Sequence, residues 1–377
     1  MPWKEVTVMS LRKELIMMAG QEGVNFSDLC QRFGISRKTG YKWVRRFEEE
    51  GHEGLVDQSK RPLNSPMKTS DQMEAAVLNL RKHHSAWGGR KIKQRLEVLG
   101  HEGVPAASTI TEILRHHRQL DPQEGAKHTA FVRFEREAPN DLWQMDFKGH
   151  VPCPEGRCHP LTVLDDCSRF SIVLRACDDE QWPTVQFCLT DAFRQYGLPR
   201  QMLMDNGSPW GSDAEHIYTP LTVWLMRLSV LVSHCRAYHP QTQGKDERFH
   251  RTLKAKLLGE YIPWKRSERQ QRFDEWRMTY NCERPHEALN MEVPASRYQF
   301  SQRLFPERLP EVEYGPDDGV RKVQQGGHLS YKGNEHKIPK AFCGQKVALR
   351  PRVEEDGILD VFFCQQKITS ISLKNYE

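Results

Sequence analysis

Three groups of apolar residues at helical spacing come first along the chain. Gly34 can end the second of the helices that they predict, and Ser36 can cap the third. The first helix is marked by Leu11, Leu15 and Met18, the second by Phe26, Leu29, Cys30 and Phe33, and the third by Trp43, Val44 and Phe47. Two helices joined by a glycine-containing turn, the second of them basic, are typical of a helix-turn-helix unit.

The third of these helices is strongly basic. Residues 31–46 carry six Arg or Lys side chains and no acid. A plain three-helix bundle with a solvated basic helix is the alternative. We favour DNA binding because the positive charge gathers on one helix, whereas three glutamates follow at its end. The side chains predicted to face DNA are Arg37, Lys38, Lys42, Arg45 and Arg46.

A second helical region repeats this pattern after a linker that contains two prolines. Residues 81–95 are again basic without an acid, and Arg90 and Lys91 are predicted DNA contacts. Trp87, Gly88 and Gly89 could bring backbone near a phosphate, or the tryptophan could close a small core. The predicted divisions are a helix-turn-helix domain at 1–56, a linker at 57–69, a second helix-turn-helix domain at 70–120 and a connector at 121–137.

The periodicity then changes to short apolar runs with turn residues between them. LWQMDF (142–147), LTVLDD (161–166) and FSIVLRA (170–176) predict three consecutive strands. A helical segment at 181–196, a strand at QMLMD and helices around 213–228 and 241–260 follow. This order predicts an α/β domain over residues 138–300, with functional groups at the strand ends.

Three carboxylates occupy informative places in that domain. Asp146 lies in the first strand, Asp205 ends the fourth, and Glu247 lies on a long basic helix. Each alone would be read as a surface charge or a turn former. Together they suggest a site for hard divalent cations, because clustered carboxylates repel one another unless a cation neutralises them. Two magnesium ions roughly 3.5–4 Å apart could then bind the attacking and leaving oxygens of a phosphoryl transfer.

Helix geometry places Arg251 and Lys254 on the same face as Glu247, where they could hold a DNA backbone against the metals. Asp246 is rotated away by one residue, so we predict a solvated charge or an internal salt-bridge partner. His250 could act as a general base, but a DNA contact or a helix-packing role is the simpler interpretation.

The motifs WQMDFKG (143–149), MDNGSPW (204–210), HPQTQGKDERFHRTLK (239–254) and YNCERPHEAL (280–289) carry a resemblance to a known family. The chain resembles bacterial insertion-sequence transposases with a retroviral-integrase-type catalytic core, and it is most similar to the insertion-sequence family numbered four hundred and eighty-one. The resemblance covers nearly the whole chain. The zinc-binding His/Cys unit of retroviral integrases has no counterpart at this N-terminus.

The resemblance implies a ribonuclease-H-like core with Asp146, Asp205 and Glu247 as the acidic triad that binds Mg²⁺, for which Mn²⁺ can substitute. It implies cleavage at transposon ends and joining of the freed 3′-hydroxyl to target DNA, without a covalent protein intermediate. The expected partners are double-stranded DNA and further copies of the chain, as a dimer or tetramer. Arg284, Pro285 and His286 match the family's tail motif, and a place near the active site or a packing role are both open.

The last segment, residues 316–377, alternates apolar and polar residues. Val347 and Leu349, and then Leu359, Val361 and Phe363, mark strands, and Asp356-Gly357 is a strong hairpin signal. We predict a small SH3-like β-barrel whose basic residues contact DNA or a partner subunit, or are simply solvated.

Composition limits the remaining choices. The ten cysteines form no C-x-x-C pair, which indicates reduced thiols in a cytoplasmic, nucleoid-associated protein, and Cys153, Cys158 and His159 lack the second ligand pair of a zinc site. No apolar stretch is long enough to span a membrane. The rival functions are a catalytically inactive DNA-binding repressor of the same element and, more weakly, a host ribonuclease H, which would not require two helix-turn-helix units.

Overall fold

The computed structural model describes residues 7–58, 68–120, 135–211, 217–235, 244–258 and 262–373. The chain divides into two compact units, Met1–Lys68 and Thr69–Glu377. Most of the predicted linker and connector, residues 59–67 and 121–134, lies outside the described residues, as do residues 212–216 and 236–243 beside the predicted helices at 213–228 and 241–260.

The first unit contains the three predicted helices. They are α1 (Val8–Ala19), α2 (Phe26–Arg32) and α3 (Arg37–Glu50). Ser36 caps α3 by accepting a hydrogen bond from the backbone N–H of Thr39, as predicted. Trp43 is buried in the small core with Leu15 and Leu29. The three predicted helices are therefore confirmed, although Leu11 of α1 is 40% exposed and does not join this core.

The second unit begins with three further helices, α4 (Asp71–His83), α5 (Gly89–Val98) and α6 (Ala107–His116). Trp87 is buried in their core with Ile92 and Leu96, so it closes that core, one of the two roles left open above. Gly89 is required for packing, because a Cβ there would lie 2.3 Å from the main-chain oxygen of Ala107. The glycine thus allows α5 to approach α6 closely.

A mixed sheet follows, made of β1 (Trp143–Phe147), β2 (Val151–Cys153), β3 (Gly156–Asp165), β4 (Ser171–Cys177), β5 (Gln201–Met204) and β6 (Leu231–His234). The main strands lie in the order β4-β3-β1-β5-β6, with β1, β3 and β4 antiparallel and β1, β5 and β6 parallel. This is the strand order of the ribonuclease-H-like fold, as the resemblance implied.

Helices cover both faces of the sheet. They are α7 (Trp182–Tyr196), α8 (Pro220–Arg227), α9 (Gly244–Leu253), which continues as a π-helix over Lys254–Leu258, and α10 (Arg266–Cys282), followed by the short α11 (Pro294–Arg297). Phe193 of α7 belongs to the core on one face, and Phe249 of α9 packs with Phe273 of α10 on the other. Helices on both faces bury the alternate side chains of each strand.

Side-chain amides complete the hydrogen bonding at both outer strands. Asn281 accepts from the N–H of Ser171 in β4 and donates to its carbonyl oxygen (2.8 and 3.1 Å). Gln366 does the same for Val232 in β6, at 2.9 and 2.7 Å. A carboxamide carries one donor group and one acceptor, as a peptide does, so each amide takes the place of a neighbouring strand.

The C-terminal strands are β7 (Gly319–Lys322), β8 (His328–Tyr331), β9 (Asn334–Lys337), β10 (Lys346–Pro351), β11 (Ile358–Phe363) and β12 (Gln366–Ser372). They form a four-stranded antiparallel sheet, β12-β11-β10-β7, and a β8-β9 hairpin. Gly357, with φ of +80°, lies between β10 and β11 and confirms the predicted hairpin. Within the described residues these strands do not close into the predicted barrel.

The C-terminal sheet shares a core with the six-stranded sheet. Val347, Val361 and Phe363 belong to the same cluster of buried side chains as Met202 and Trp224. Across the described ranges, no helix is long and apolar enough to cross a membrane.

Candidate active site

Asp146 and Asp205 come from the carboxyl ends of neighbouring parallel strands. Asp146 is the fourth residue of β1 and pairs with Thr162 of β3, and Asp205 directly follows β5. Since β1 and β5 run parallel, both carboxylates lie at one edge of the sheet. Gly207 N–H donates to Asp205 Oδ1 (3.0 Å), and His234 donates from Nδ1 to the Asp205 main-chain oxygen (2.7 Å).

The two aspartates interact electrostatically. Burial and, after it, the negative charge of Asp205 raise the pKa of Asp146 to about 7. Lys148 and the N–H of Phe147 oppose this shift. A buried carboxylate whose ionisation is disfavoured by a second carboxylate nearby forms a site that a cation would stabilise.

A cleft of about 480 Å³ opens beside Asp146. Glu247 lines it from α9, and Arg251 and Lys254, four and seven residues further on, lie along the same cleft, as helix geometry predicted. Lys148 and Gly149 line the opposite wall beside β1. The cleft therefore combines the predicted carboxylates of β1 and α9 with three cationic side chains.

The three acidic residues do not form a closed ligand group. Among the residues that the structure describes, no three or more His, Cys, Asp and Glu side chains are close enough together to hold a metal ion. Asp146 and Asp205 are electrostatically coupled, whereas Glu247 is exposed on the facing helix. The donor types fit magnesium, since all are carboxylate oxygens, but the structure brings together only two of the three.

His250 is a packing residue that joins α9 to the sheet. It is 6% exposed, and its Nε2 lies 2.8 Å from Thr162 Oγ1, which in turn donates to the main-chain oxygen of Asp146 (2.9 Å). The hydroxyl of Thr162 has one proton, which it donates to Asp146. It must therefore accept a hydrogen bond from His250, so His250 Nε2 carries a proton. Burial lowers the pKa of His250 to about 3, so the ring is neutral at physiological pH. Of the roles left open, helix packing is the one that this burial supports.

Asp246 corrects one sequence-based prediction. It is fully buried, and neither of its carboxylate oxygens has a hydrogen-bond partner among the described residues. Burial raises the pKa of Asp246 well above its usual value, and the charges of Asp146 and Asp166 act in the same direction. The prediction of a solvated charge or a salt-bridge partner is wrong, because α9 turns this side chain toward the sheet rather than toward water.

The predicted DNA contacts of α3 are mostly exposed. Arg37, Lys38, Lys42 and Arg45 face solvent. Arg46 is partly buried, because its guanidinium lies over the Trp43 ring and donates to Gln58 Oε1 (2.6 Å). Its role in the first unit is thus at least partly structural.

The two predicted contacts on α5 differ in exposure. Arg90 is exposed and lies 3.9 Å from Glu287, whereas Lys91 is half-buried.

Sequence reasoning missed Lys148, which lines the cleft two residues after Asp146. Its signal was present in the WQMDFKG segment, where strand alternation places residues 146 and 148 on one side.

Family models match most of the chain. Two models described as integrase core domains match residues 136–240 and 228–294. A helix-turn-helix domain matches residues 12–62, a homeodomain-like domain matches residues 39–114, and the C-terminal domain of IS481 family transposases matches residues 318–377. These matches include the sheet with Asp146 and Asp205, the cleft and the C-terminal strands.

Similar proteins are known from bacteria and from a retrovirus. The chain is 20% identical over 352 residues to the transposase for insertion sequence element IS21 of Pseudomonas aeruginosa, covering 91% of this chain and 85% of the relative. It is 23% identical over 371 residues to a putative transposase for insertion sequence element IS5376 of Geobacillus stearothermophilus, covering 93% and 84%. Among solved structures, a simian T-cell lymphotropic virus intasome in complex with PP2A regulatory subunit B56 gamma aligns with 16% identity and a TM-score of 0.37 over 78% of this chain and 99% of that chain.

Proposed function

From the confirmed resemblance of this chain to bacterial insertion-sequence transposases with an integrase-type core, we propose that it is a DNA transposase. It binds the terminal inverted repeats of its element, cleaves the DNA there and joins the 3′-hydroxyl to target DNA. The observation that carries this proposal is the pairing of Asp146 with Asp205 at the ends of adjacent parallel strands, beside the cleft that Glu247 lines. Asp146, Asp205 and Glu247 are the proposed catalytic residues.

Magnesium is the proposed cofactor, as two ions, with Mn²⁺ able to replace it. Asp146, Asp205 and Glu247 would hold the ions through carboxylate oxygens. Bound there, the metal supplies charge neutralisation and activation of a water or hydroxyl in phosphoryl transfer. The mutual repulsion of Asp146 and Asp205 supports this proposal, since a cation between them removes it.

The chain's own cations position the DNA in this proposal. Lys148, Arg251 and Lys254 line the cleft beside the acids and would bind backbone phosphates. The exposed side chains of α3 would read the transposon end, so binding should weaken steeply as salt concentration rises. The proposed partners are duplex DNA and further copies of the chain, in the cytoplasm on the nucleoid.

We also propose the domain limits set out above, 1–56, 70–120, 138–300 and 316–377. The C-terminal sheet with its four antiparallel strands supports that proposal. The shared hydrophobic cluster means that the last two domains would act as one folded body.

A supercoiled-plasmid assay tests the function. The donor carries candidate terminal inverted repeats, and strand-transfer products are measured in Mg²⁺. Asp205→Asn should lower strand transfer by at least roughly 100-fold, since it removes a carboxylate that stabilises the charged transition state. Asp274→Asn on the exposed face of α10 is the matched control and should retain activity. Full activity of Asp205→Asn would contradict the proposal.

One observation favours a second candidate. Because Asp146, Asp205 and Glu247 do not form a group that could hold a metal ion within the described residues, the chain could instead be a catalytically inactive repressor that binds the same repeats. Binding of the repeats without cleavage in either Mg²⁺ or Mn²⁺ would identify this function.

A further inference from the structure

The second helical group of the chain lies against the segment that follows α10. Arg95 of α5 pairs with Glu283 at 3.2 Å, and Arg90 lies 3.9 Å from Glu287. Lys256, just beyond α9, donates to the main-chain oxygen of His83 (2.9 Å). These contacts join α5 to the segment after α10, and the end of α4 to the π-helix that continues α9.

Three cations meet at this junction without carboxylate partners of their own. They are Lys91 of α5, Arg248 of α9 and Arg284 after α10, and within the described residues none of them forms an ion pair. Arg284 Nε is buried and makes no hydrogen bond in the described part of the chain, and the same holds for His286 Nε2. Among the described residues, Glu287 is the only carboxylate that acts on both Lys91 and Arg284, and it lies 3.9 Å from Arg90.

This arrangement opposes folding of the protein alone. Burial, together with the charges of Arg284 and Arg248, lowers the pKa of Lys91 to about 8, although Glu287 acts in the opposite direction. Burial also lowers the pKa of Arg284, with Arg248 contributing in the same direction. A lysine whose pKa falls on folding binds its proton less tightly in the folded state, so its charge costs stability at every pH below that value. A bound anion would remove this cost.

The N-terminus of α5 adds to the positive potential. Its first residue follows Gly88, which provides no side-chain cap, and a Cβ at Gly88 would meet no atom within 4 Å. The backbone N–H groups of a helix's first turn and the helix dipole attract anions, and open space next to Gly88 lets a ligand approach.

We propose that Lys91, Arg248 and Arg284 form a binding site for a phosphate group of the DNA backbone, separate from the cleft beside Asp146. This inference rests on the proposed function, which it deepens by adding a second contact with the same DNA. Arg248 directly follows Glu247 on α9. A phosphate held by Arg248 would therefore fix the position of the duplex along α9 relative to the acidic residues.

The site also gives the Arg284-Pro285-His286 segment a function. Pro285 is buried, and His286 packs edge-on against the ring of Tyr280, at a centroid distance of 4.8 Å. These contacts hold the backbone on each side of Arg284, so that its guanidinium stays at the junction. Arg284 binds the phosphate in this arrangement, while Pro285 and His286 only position it.

DNA binding by the full chain in EDTA tests the site without any contribution from metal or catalysis. Affinity for a short duplex is measured over a range of salt concentrations for Lys91→Gln, Arg248→Gln and Arg284→Gln. Each should weaken binding roughly 3- to 10-fold and reduce the salt slope by about 1, as expected when one phosphate contact is lost. Lys93→Gln is the matched control on α5, where Lys93 pairs with Glu97.

Thermal unfolding distinguishes a ligand site from a structural one. Without DNA, Lys91→Gln and Arg248→Gln should unfold at the same or a higher temperature than the parent chain, because each removes a repelling charge. Inorganic phosphate should raise the unfolding temperature of the parent chain more than that of either variant. If phosphate does so but duplex affinity is unchanged, the site binds free anions and the proposed role in DNA binding is overturned.

The proposal fails if Lys91→Gln and Arg248→Gln bind DNA as Lys93→Gln does, or if both lower the unfolding temperature. These two variants decide the question even if Arg284→Gln does not fold. The catalytic proposal is tested separately, by strand transfer with Asp205→Asn. If Arg248→Gln weakens DNA binding but Asp205→Asn stays active, the transposase function is refuted and the phosphate site is not.

Discussion

Neighbouring residues on α9 have opposite environments. Glu247 faces the cleft and is exposed, whereas Asp246 is buried without a hydrogen-bond partner in the described structure. A buried carboxylate that meets only weak compensation from Lys245 and the repulsion of Asp146 is destabilising when ionised. Asp246 therefore lowers the stability of the core that carries the active site.

Replacing Asp246 with Asn should stabilise the protein. The substitution keeps the size of the side chain and removes its charge, so we expect the free energy of unfolding to rise by about 1 kcal/mol and Tm by roughly 2–4 °C. Thermal unfolding at neutral pH in EDTA measures this. Asp274→Asn, at an exposed position, is the control and should change Tm little. A lower Tm for Asp246→Asn would mean that the carboxylate has a stabilising partner.

The elements that carry the candidate acidic residues could largely be predicted from sequence, but the distances between these residues could not. Strand and helix patterns place Asp146, Asp205 and Glu247 on elements that meet at one edge of the sheet. Whether Asp246 is buried depends on how deeply α9 packs on the sheet. That depth is set by His250 and Phe249, whose partners come from distant parts of the chain.

At the level of elements, periodicity identified the amphipathic helices and the central strands but missed α10 and β6. The α10 sequence, RSERQQRFDEWRMTYNC, is polar on most sides because it binds the sheet partly through side-chain amides. Gln270 and Asn281 hydrogen-bond the outer edge of β4. Helix prediction from apolar spacing cannot detect an element whose inner face makes hydrogen bonds of this kind.

Gln366 should contribute measurably to the stability of β6. Gln366→Glu keeps the acceptor for the Val232 N–H but replaces the donor to the Val232 oxygen with a negatively charged group. We expect a loss of about 1–3 kcal/mol in urea unfolding at neutral pH. The adjacent Gln365 is exposed, so Gln365→Glu should be nearly neutral. Equal effects of the two substitutions would show that the amide does not support the strand.

At the level of the whole molecule, the catalytic sheet and the C-terminal sheet share one hydrophobic cluster. Phe342 is fully buried in it, with its ring 5.1 Å from that of Tyr218 and 5.1 Å from that of Phe363. Sequence patterns suggested separate domains, because alternation along a strand does not show which other element covers its apolar face. We therefore expect these parts of the chain to unfold together.

Phe342→Ala should destabilise the catalytic core as well as the C-terminal sheet. The lost contacts and the resulting cavity should cost about 3–5 kcal/mol. None of the nine tryptophans lies in residues 316–377, so tryptophan fluorescence during urea unfolding reports on the rest of the chain. A lower midpoint by fluorescence would confirm the coupling. Phe362→Ala, on the less buried side of β11, is the control. An unchanged fluorescence midpoint for Phe342→Ala would refute the coupling between the two sheets.

The amide contacts on β4 and β6 also restrict how copies of the chain can associate. Another polypeptide usually extends a sheet by forming backbone hydrogen bonds with its outermost strand. Here Asn281 and Gln270 occupy backbone hydrogen-bonding groups of β4 at one margin of the sheet, and Gln366 occupies those of Val232 in β6 at the other. Copies of the chain that assemble on DNA should therefore not associate by adding strands at these two margins of the six-stranded sheet.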